Sequence, residues 1–387
     1  MSTNRIYIAS VGYVEVSDHW GKSIGDLMVE AGLQAMRATP SIRPDGIIIG
    51  NMFSALSSSQ EHLGALAATG LDLVGVPAFK VEAACASGAI AANVGYSQVK
   101  TGQSEAVLVI GVEKMRDLEQ PDITSALSIA ESAEYTQYIG ASFVALNALL
   151  AQIYLEKYNV TRDELSAFPV LAHTNALTSK HAQFRKPITV DDVSKSALIS
   201  DPLRLLDCAP VGDGAAALLL TNESRINDVS SYPVEVAASS ASTNVFSVYE
   251  RDDMLEFNAT KQATKKAFEE AKIDVQDVDT LEFHDAFSVT GALSVEAMGF
   301  SKPGEGAKDA AIGKFSSKGE IPSQTFGGLK GRGHPVGATG IYQIAELWHQ
   351  LSGKAGDNQI QDPEIGVAQN MGGIDTTSVI TVLKRRK

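Results

Sequence analysis

Residues 107–112 read Val107-Leu108-Val109-Ile110-Gly111-Val112. Every position is apolar or glycine, so both faces of the run need cover, which is the mark of a strand inside a doubly covered sheet. Gly46 to Gly50 upstream is a shorter run of the same kind, centred on Ile47-Ile48-Ile49, and Arg5 to Val11 reads as a further strand. Between these two, Leu27 to Met36 carries apolar residues at helical spacing. Strands alternating with helices predict an α/β fold with a largely parallel sheet.

The pattern restarts in the second half. Val234 to Ala238 reads as a strand. Asn258 to Lys272 reads as an amphipathic helix with Ala263, Ala267, Phe268 and Ala271 on one face. Asp279 to Phe283 is a strand entering a turn, and Gly340 to Leu351 is a helix with Ile341, Ile344, Ala345, Trp348 and Leu351 on one side. Ile365 to Gln369 and Ser378 to Leu383 are the last strands. The pair Leu108–Met115 and Gly212–Leu220 has the same sense as Ile365–Gly373 and Gly373–Leu383. Each is a buried strand, a polar turn and a second buried strand, a sign of internal repetition. Glu113 to Asp207 is more charged, with helical runs such as Ala145 to Tyr158, and reads as an insertion. The expected division is a first half over 1–225, with the insertion at about 114–207, and a second half over 226–387.

The chain has 387 residues, 44% of them hydrophobic and 20% charged, which excludes a disordered or fibrous class. Its 32 Lys and Arg against 46 Asp and Glu give a net charge of −14, a poor basis for general nucleic-acid binding. Two cysteines cannot form a disulfide framework and suit a reducing compartment. Met1 to Gly12 has no basic stretch followed by a long apolar run. No segment approaches roughly 18 consecutive apolar residues. The end Lys384-Arg385-Arg386-Lys387 matches no peroxisomal or lipidation signal. The expectation is a cytoplasmic protein that spans no membrane. Neither cysteine has a second ligand at zinc-site spacing, so no metal is expected.

Three stretches carry chemistry. In Ala83-Ala84-Cys85-Ala86-Ser87-Gly88-Ala89 a cysteine among small residues precedes a helical run. Unpaired N–H groups at a helix start favour a thiolate there, although a lone cysteine is more often an inert buried one. In Glu282-Phe283-His284-Asp285-Ala286-Phe287-Ser288 a histidine sits at a strand end, where α/β folds meet their ligands; by itself it reads as a satisfied turn histidine. Residues 327–340 hold six glycines with His334 and Pro335 ahead of a helix. They fit neither the phosphate-loop nor the dinucleotide pattern.

Taken together, AACASG around Cys85, HDAF around His284 and GHPVGATG around His334 resemble the thiolase superfamily, in particular its archaeal and sterol-carrier-like acetyl-CoA acetyltransferases. The resemblance covers nearly the whole chain. It implies a five-layered αβαβα unit of two similar halves with an inserted loop domain, and a homodimer or homotetramer. It implies reversible condensation of two acetyl-CoA to acetoacetyl-CoA and CoA through an acyl-cysteine, with coenzyme A thioesters as substrates and no further cofactor. Cys85 would be the nucleophile, His334 the acceptor of its proton, His284 the group polarising the second thioester, and Gly372 an oxyanion donor with the N–H of Cys85. Lys180, His181, Arg185 and Lys186 form one basic cluster, and Lys330 and Arg332 another. Arg185, Lys186, Lys330 and Arg332 are the candidate CoA contacts, although charge clusters of this kind are commonly solvated surface. The archaeal members further imply a complex with hydroxymethylglutaryl-CoA synthase and a small zinc-containing partner.

Two departures stand out. Where typical thiolases carry the cysteine that removes the α-proton, this chain has Asn370-Met371-Gly372-Gly373, and where the sterol-carrier type has a cysteine it has Ala286. Cys208 reads as structural. His284 or His334 is left as the expected base. A decarboxylating ketoacyl synthase-like enzyme, or an acyl-CoA- or lipid-binding scaffold without catalysis, is the alternative reading.

Overall fold

The computed structural model describes residues 5–226 and 233–386. Met1 to Asn4 of the N-terminal stretch, and Lys387 of the basic end, lie outside the described residues. In chain order the first half runs β1 (Ile6–Tyr13), α1 (Ile24–Ala38), β2 (Gly46–Gly50), α2 (Ser54–Ser57), α3 (Leu63–Gly70), β3 (Ala78–Val81), α4 (Ser87–Lys100) and β4 (Ala106–Glu113). There follow α5 (Gln120–Ser128), α6 (Phe143–Tyr158), α7 (Arg162–Leu165), α8 (Ala167–Ala176), α9 (Val190–Lys195), β5 (Leu198–Ser200) and β6 (Leu203–Arg204), before β7 (Gly214–Asn222) returns to the main sheet. The rest comprises β8 (Val234–Thr243), α10 (Asn258–Ala271), β9 (Thr280–Glu282), α11 (Ser288–Ala297), α12 (Gly306–Ala311), α13 (Thr339–Leu351), β10 (Ile365–Gly372) and β11 (Thr377–Arg385).

Nine strands form one sheet in the order β3-β2-β4-β7-β1-β8-β11-β10-β9. It reads as the same unit twice. In the first half β1·β7 and β7·β4 are antiparallel, and β4·β2 and β2·β3 parallel. In the second, β8·β11 and β11·β10 are antiparallel, β10·β9 is parallel, and a parallel bridge Leu281↔Ser323 stands where a further strand would lie. The halves join through Tyr7↔Glu235 and Ile8↔Val234. The sheet is mixed, because β7 and β11 run against their neighbours; the largely parallel sheet expected from the sequence holds only for β2, β3, β4 and for β9, β10.

Alternation along β4 sets the layers. Val107 and Val109 face inward onto α4 and α13, together with Ile341, Ile344 and Trp348. Leu108, Ile110 and Val112 face outward onto Leu27, Met28 and Ala31 of α1. On the second half Ile380 and Val382 face Ala263, Ala267 and Phe268 of α10. The order is therefore helix, sheet, the paired α4 and α13, sheet, helix. Capping sets several helix ends. Ser23 and Asp26 form a capping box at α1. Ser142 accepts from Ala145 N–H, so α6 starts at Phe143. Lys272, at φ 53°, ends α10 one residue before the sequence pattern does. No helix among the described residues is long and apolar enough to cross a membrane.

Candidate active site

The chain turns sharply between β3 and α4. Ala84 takes φ 49°, and Ser87 Oγ donates to Ala84 O while accepting from Ala83 N–H. This places partly buried Cys85 two residues ahead of α4. The backbone N–H groups of Cys85 and Gly373 act to lower the pKa of its thiol. Gly373 opens the β10–β11 turn directly after Gly372, and Gly372 presses on Ala83, whose carbonyl would lie 2.2 Å from an added Cβ. Burial and then the Glu113 carboxylate push the Cys85 thiol up to about 12. The helix start does not outweigh them, so the resting group is a thiol and not the thiolate expected from the sequence.

His334 is carried by the loop ahead of α13. Its Nδ1 lies 2.7 Å from Thr339 Oγ1, and that hydroxyl donates its own hydrogen to Pro335 O. Thr339 must therefore accept, Nδ1 carries the proton, and Nε2 keeps a free lone pair. His284 is the mirror case. Its Nδ1 receives Asn370 Nδ2 at 3.1 Å and Met371 N–H at 3.5 Å. A backbone N–H can only donate, so Nδ1 is bare and Nε2 carries the proton. The rings stand edge-to-face with centroids 5.1 Å apart. Burial, with Arg332 nearby, lowers His284 to about 3, and burial with His284 and Arg332 holds His334 well below the usual imidazole range. Both are neutral, one presenting a donor and the other an acceptor.

Buried carboxylates fix the loops. Glu113, at the end of β4, accepts from Asn51 Nδ2 (2.8 Å), Met52 N (2.9 Å), Phe53 N (3.4 Å) and Gly337 N (3.1 Å). It ties the end of β2 to the His334 loop. Burial raises it to about 7 against the pull of these donors. Asp285 accepts from Leu329 N–H at 2.7 Å and burial raises it to about 6. Neither role was read from the sequence. The one signal for Glu113 is a lone charge closing an otherwise apolar strand.

Two expected CoA contacts are corrected. Arg332 is fully buried and bonds Glu346 Oε2 at 2.6 Å, while the other Glu346 oxygen lies 2.8 Å from His181 Nε2. Its guanidinium has no surface to offer a phosphate. Lys330 is 5% exposed and donates to Cys208 O at 2.7 Å. A loop that passes inward beside His334 carries its cations inward with it. Arg185 is partly exposed but engages Glu15 and Lys180 O. Lys186 is exposed. Cys208 sits in a chain segment bridged to Phe287, its thiol on Arg204 O at 3.4 Å. Among the described residues no group of three His, Cys, Asp or Glu could hold a metal ion.

Comparison with known proteins agrees with this layout. The family model "Thiolase, N-terminal domain" matches residues 1–224, and "Thiolase C-terminal domain-like" matches 240–385. An acetyl-CoA acetyltransferase of Methanothermobacter thermautotrophicus is 38% identical over 382 residues, covering 98% of this chain and 99% of that protein. Human sterol carrier protein 2 is 28% identical over 397 residues, 98% of this chain and 72% of its own length. Among solved structures, an Ltp2-ChsH2(DUF35) aldolase superposes with TM-score 0.86 at 22% identity, covering 99% of this chain and 98% of that one. Human mitochondrial 3-ketoacyl-CoA thiolase superposes with TM-score 0.76 at 14% identity over the full length of both. With both halves matched, His284 and His334 paired, and Cys85 packed against the cluster that holds Val336 of the His334 loop, the chain belongs to the thiolase family of acyltransferases.

Proposed function

We propose that the protein is an acetyl-CoA C-acetyltransferase that interconverts two acetyl-CoA with acetoacetyl-CoA and CoA. The observation that carries the reading is the edge-to-face pair of His334 and His284 with opposite tautomers. In the first half-reaction His334 Nε2 takes the thiol proton as sulfur attacks the acetyl carbonyl. The N–H groups of Cys85 and Gly372 would hold the oxyanion. CoA leaves with the proton from His334. In the second, His284 Nε2–H polarises the thioester oxygen of another acetyl-CoA so that its α-carbon can be deprotonated and attack the acyl-cysteine. A neutral donor suits this step, because the oxygen gains charge only as the reaction proceeds. We further infer a homodimer or homotetramer, with β3 offering an open sheet edge on which Phe79 is 39% exposed. CoA is held in part by Lys186, and product passes to a hydroxymethylglutaryl-CoA synthase in a complex with a small zinc-containing protein.

The test is incubation with acetyl-CoA followed by quenching and mass spectrometry, alongside an assay of acetoacetyl-CoA cleavage by CoA. An acetyl adduct on Cys85 with cleavage is the expected result. An adduct without cleavage favours a decarboxylating condensing enzyme, and no adduct would sink the catalytic reading.

A further inference from the structure

The end of α5 and Cys85 share one small apolar cluster. Ile123 and Ala126 pack with Met52, Phe53, Met115 and Val336, and Leu127, Ala130 and Cys85 lie against the same cluster. Glu131 follows Ala130 directly. It is 4% exposed, and neither carboxylate oxygen has a hydrogen-bond partner. On its other side is the β10–β11 turn. A Cβ built on Gly373 would lie 3.9 Å from Glu131 Oε1, and the Gly373 backbone is near enough to Cys85 to act on its thiol. The carboxylate is thus bracketed on two sides by neighbours of the nucleophile.

A buried carboxylate without donors is costly, and one that anchors nothing needs another reason to be there. Glu113 and Asp285 show the structural use of such a group in this protein, since each binds backbone N–H donors. Glu131 has all its lone pairs free. The other candidates for a base at the second acyl-CoA are engaged. Nδ1 of His284 is filled by Asn370 and Met371, His334 serves the thiol, and the two Glu113 oxygens take four N–H groups.

We propose that Glu131 is the catalytic base that removes the α-proton of the second acyl-CoA, in place of the cysteine missing at Asn370 and Ala286; this rests on the thiolase reading above. The carboxylate takes the proton from the α-carbon. The resulting carbanion attacks the carbonyl carbon of acetyl-Cys85, forming the C–C bond and breaking the C–S bond. Glu131 then returns its proton to the departing Cys85 sulfur, so the thiol and the free carboxylate are both restored. In the cleavage direction the same residue protonates the leaving acetyl-CoA carbanion. Burial pushes Glu131 up to about 7 and Arg251 opposes it, which leaves the group near the operating range of a base. Arg251 spends Nε and Nη2 on Val245 O, and its Nη1 is buried without a partner.

The experiment compares Glu131→Gln and Glu131→Asp with the wild-type chain in two assays. One follows acetylation of Cys85 and exchange of labelled CoA into acetyl-CoA, which need no α-proton step. The other follows cleavage of acetoacetyl-CoA. Glu131→Gln is expected to keep acetylation and exchange within about twofold while cleavage falls about 10²–10⁴-fold, with partial recovery in Glu131→Asp. Cleavage within threefold of wild type would overturn the proposal. So would a parallel loss of acetylation and cleavage, which would mark the residue as structural. A wild-type chain that never acetylates would instead remove the thiolase reading, and this proposal with it.

Discussion

His284 and His334 are identical rings at 5.1 Å between centroids, and their partners alone separate their roles. A partner of His284 is Asn370, at 3.1 Å. Asn370→Ala should leave acetylation of Cys85 intact and slow acetoacetyl-CoA cleavage about tenfold, the worth of one neutral hydrogen bond near 1.4 kcal/mol. Quench-flow acetylation and steady-state cleavage measured on the same sample check this, and equal losses in both would refute it. Cys85 gives a second outcome at this scale. Because its thiol is pushed up to about 12, alkylation by iodoacetamide should keep rising with pH beyond 9. A plateau near pH 7 would mean a resting thiolate. Cys85, His284 and His334 stood out in the sequence because short motifs carry them. Which nitrogen of each ring is bare was not, since Thr339 and Asn370 reach their histidines only once α13 and β10 are in place.

At the scale of elements, α4 and α13 hold equivalent places in the two halves, each delivering a site residue just ahead of its first turn. Their close approach rests on glycine. A Cβ on Gly340 would meet Ala89 N at 2.6 Å and Asn370 Oδ1 at 2.5 Å. Periodicity located α13 with its apolar face, and the stretch around Cys85 led into a helical run, but the contact between the two helices was not visible because it joins residues far apart in the chain. Further along α13, His349 has both ring nitrogens buried without partners, beside Tyr13, Phe326 and Trp348. Burial, then His181 and Lys354, lower it to about 3. In the unfolded chain it titrates near ~6.5. Between those values the unfolded state binds a proton that the folded state refuses, so stability is lost as pH falls from ~6.5 towards 3. His349→Phe removes that loss and two unsatisfied atoms. Its gain in melting temperature should be larger at pH 5 than at pH 8, and a gain independent of pH would contradict this account.

For the whole molecule, one ionic cluster spans three parts of the chain: His181 in the segment following α8, Arg332 in the loop before His334, and Glu346 on α13. The sequence displayed Arg332 and His181 only as members of basic clusters, and such clusters usually face water. Here the segment around His181 lies against the loop through Gln183 N–H to Arg332 O and Phe184 N–H to Gly331 O, and that pairing takes the charges inside. A buried pair of this kind adds little net stability, yet breaking it strands a charge. Arg332→Met takes from Glu346 its guanidinium partner, leaving only the His181 contact, and should cost about 3–5 kcal/mol in urea unfolding. Arg332→Met with Glu346→Leu should recover about half of that, because the stranded carboxylate is gone while His181 loses its acceptor. A double variant no better than the single would mean that the loss comes from packing around the guanidinium. If the single change alone proved neutral, the cluster would not be what joins the segment after α8 to the His334 loop, and its place beside the active site would need a different explanation.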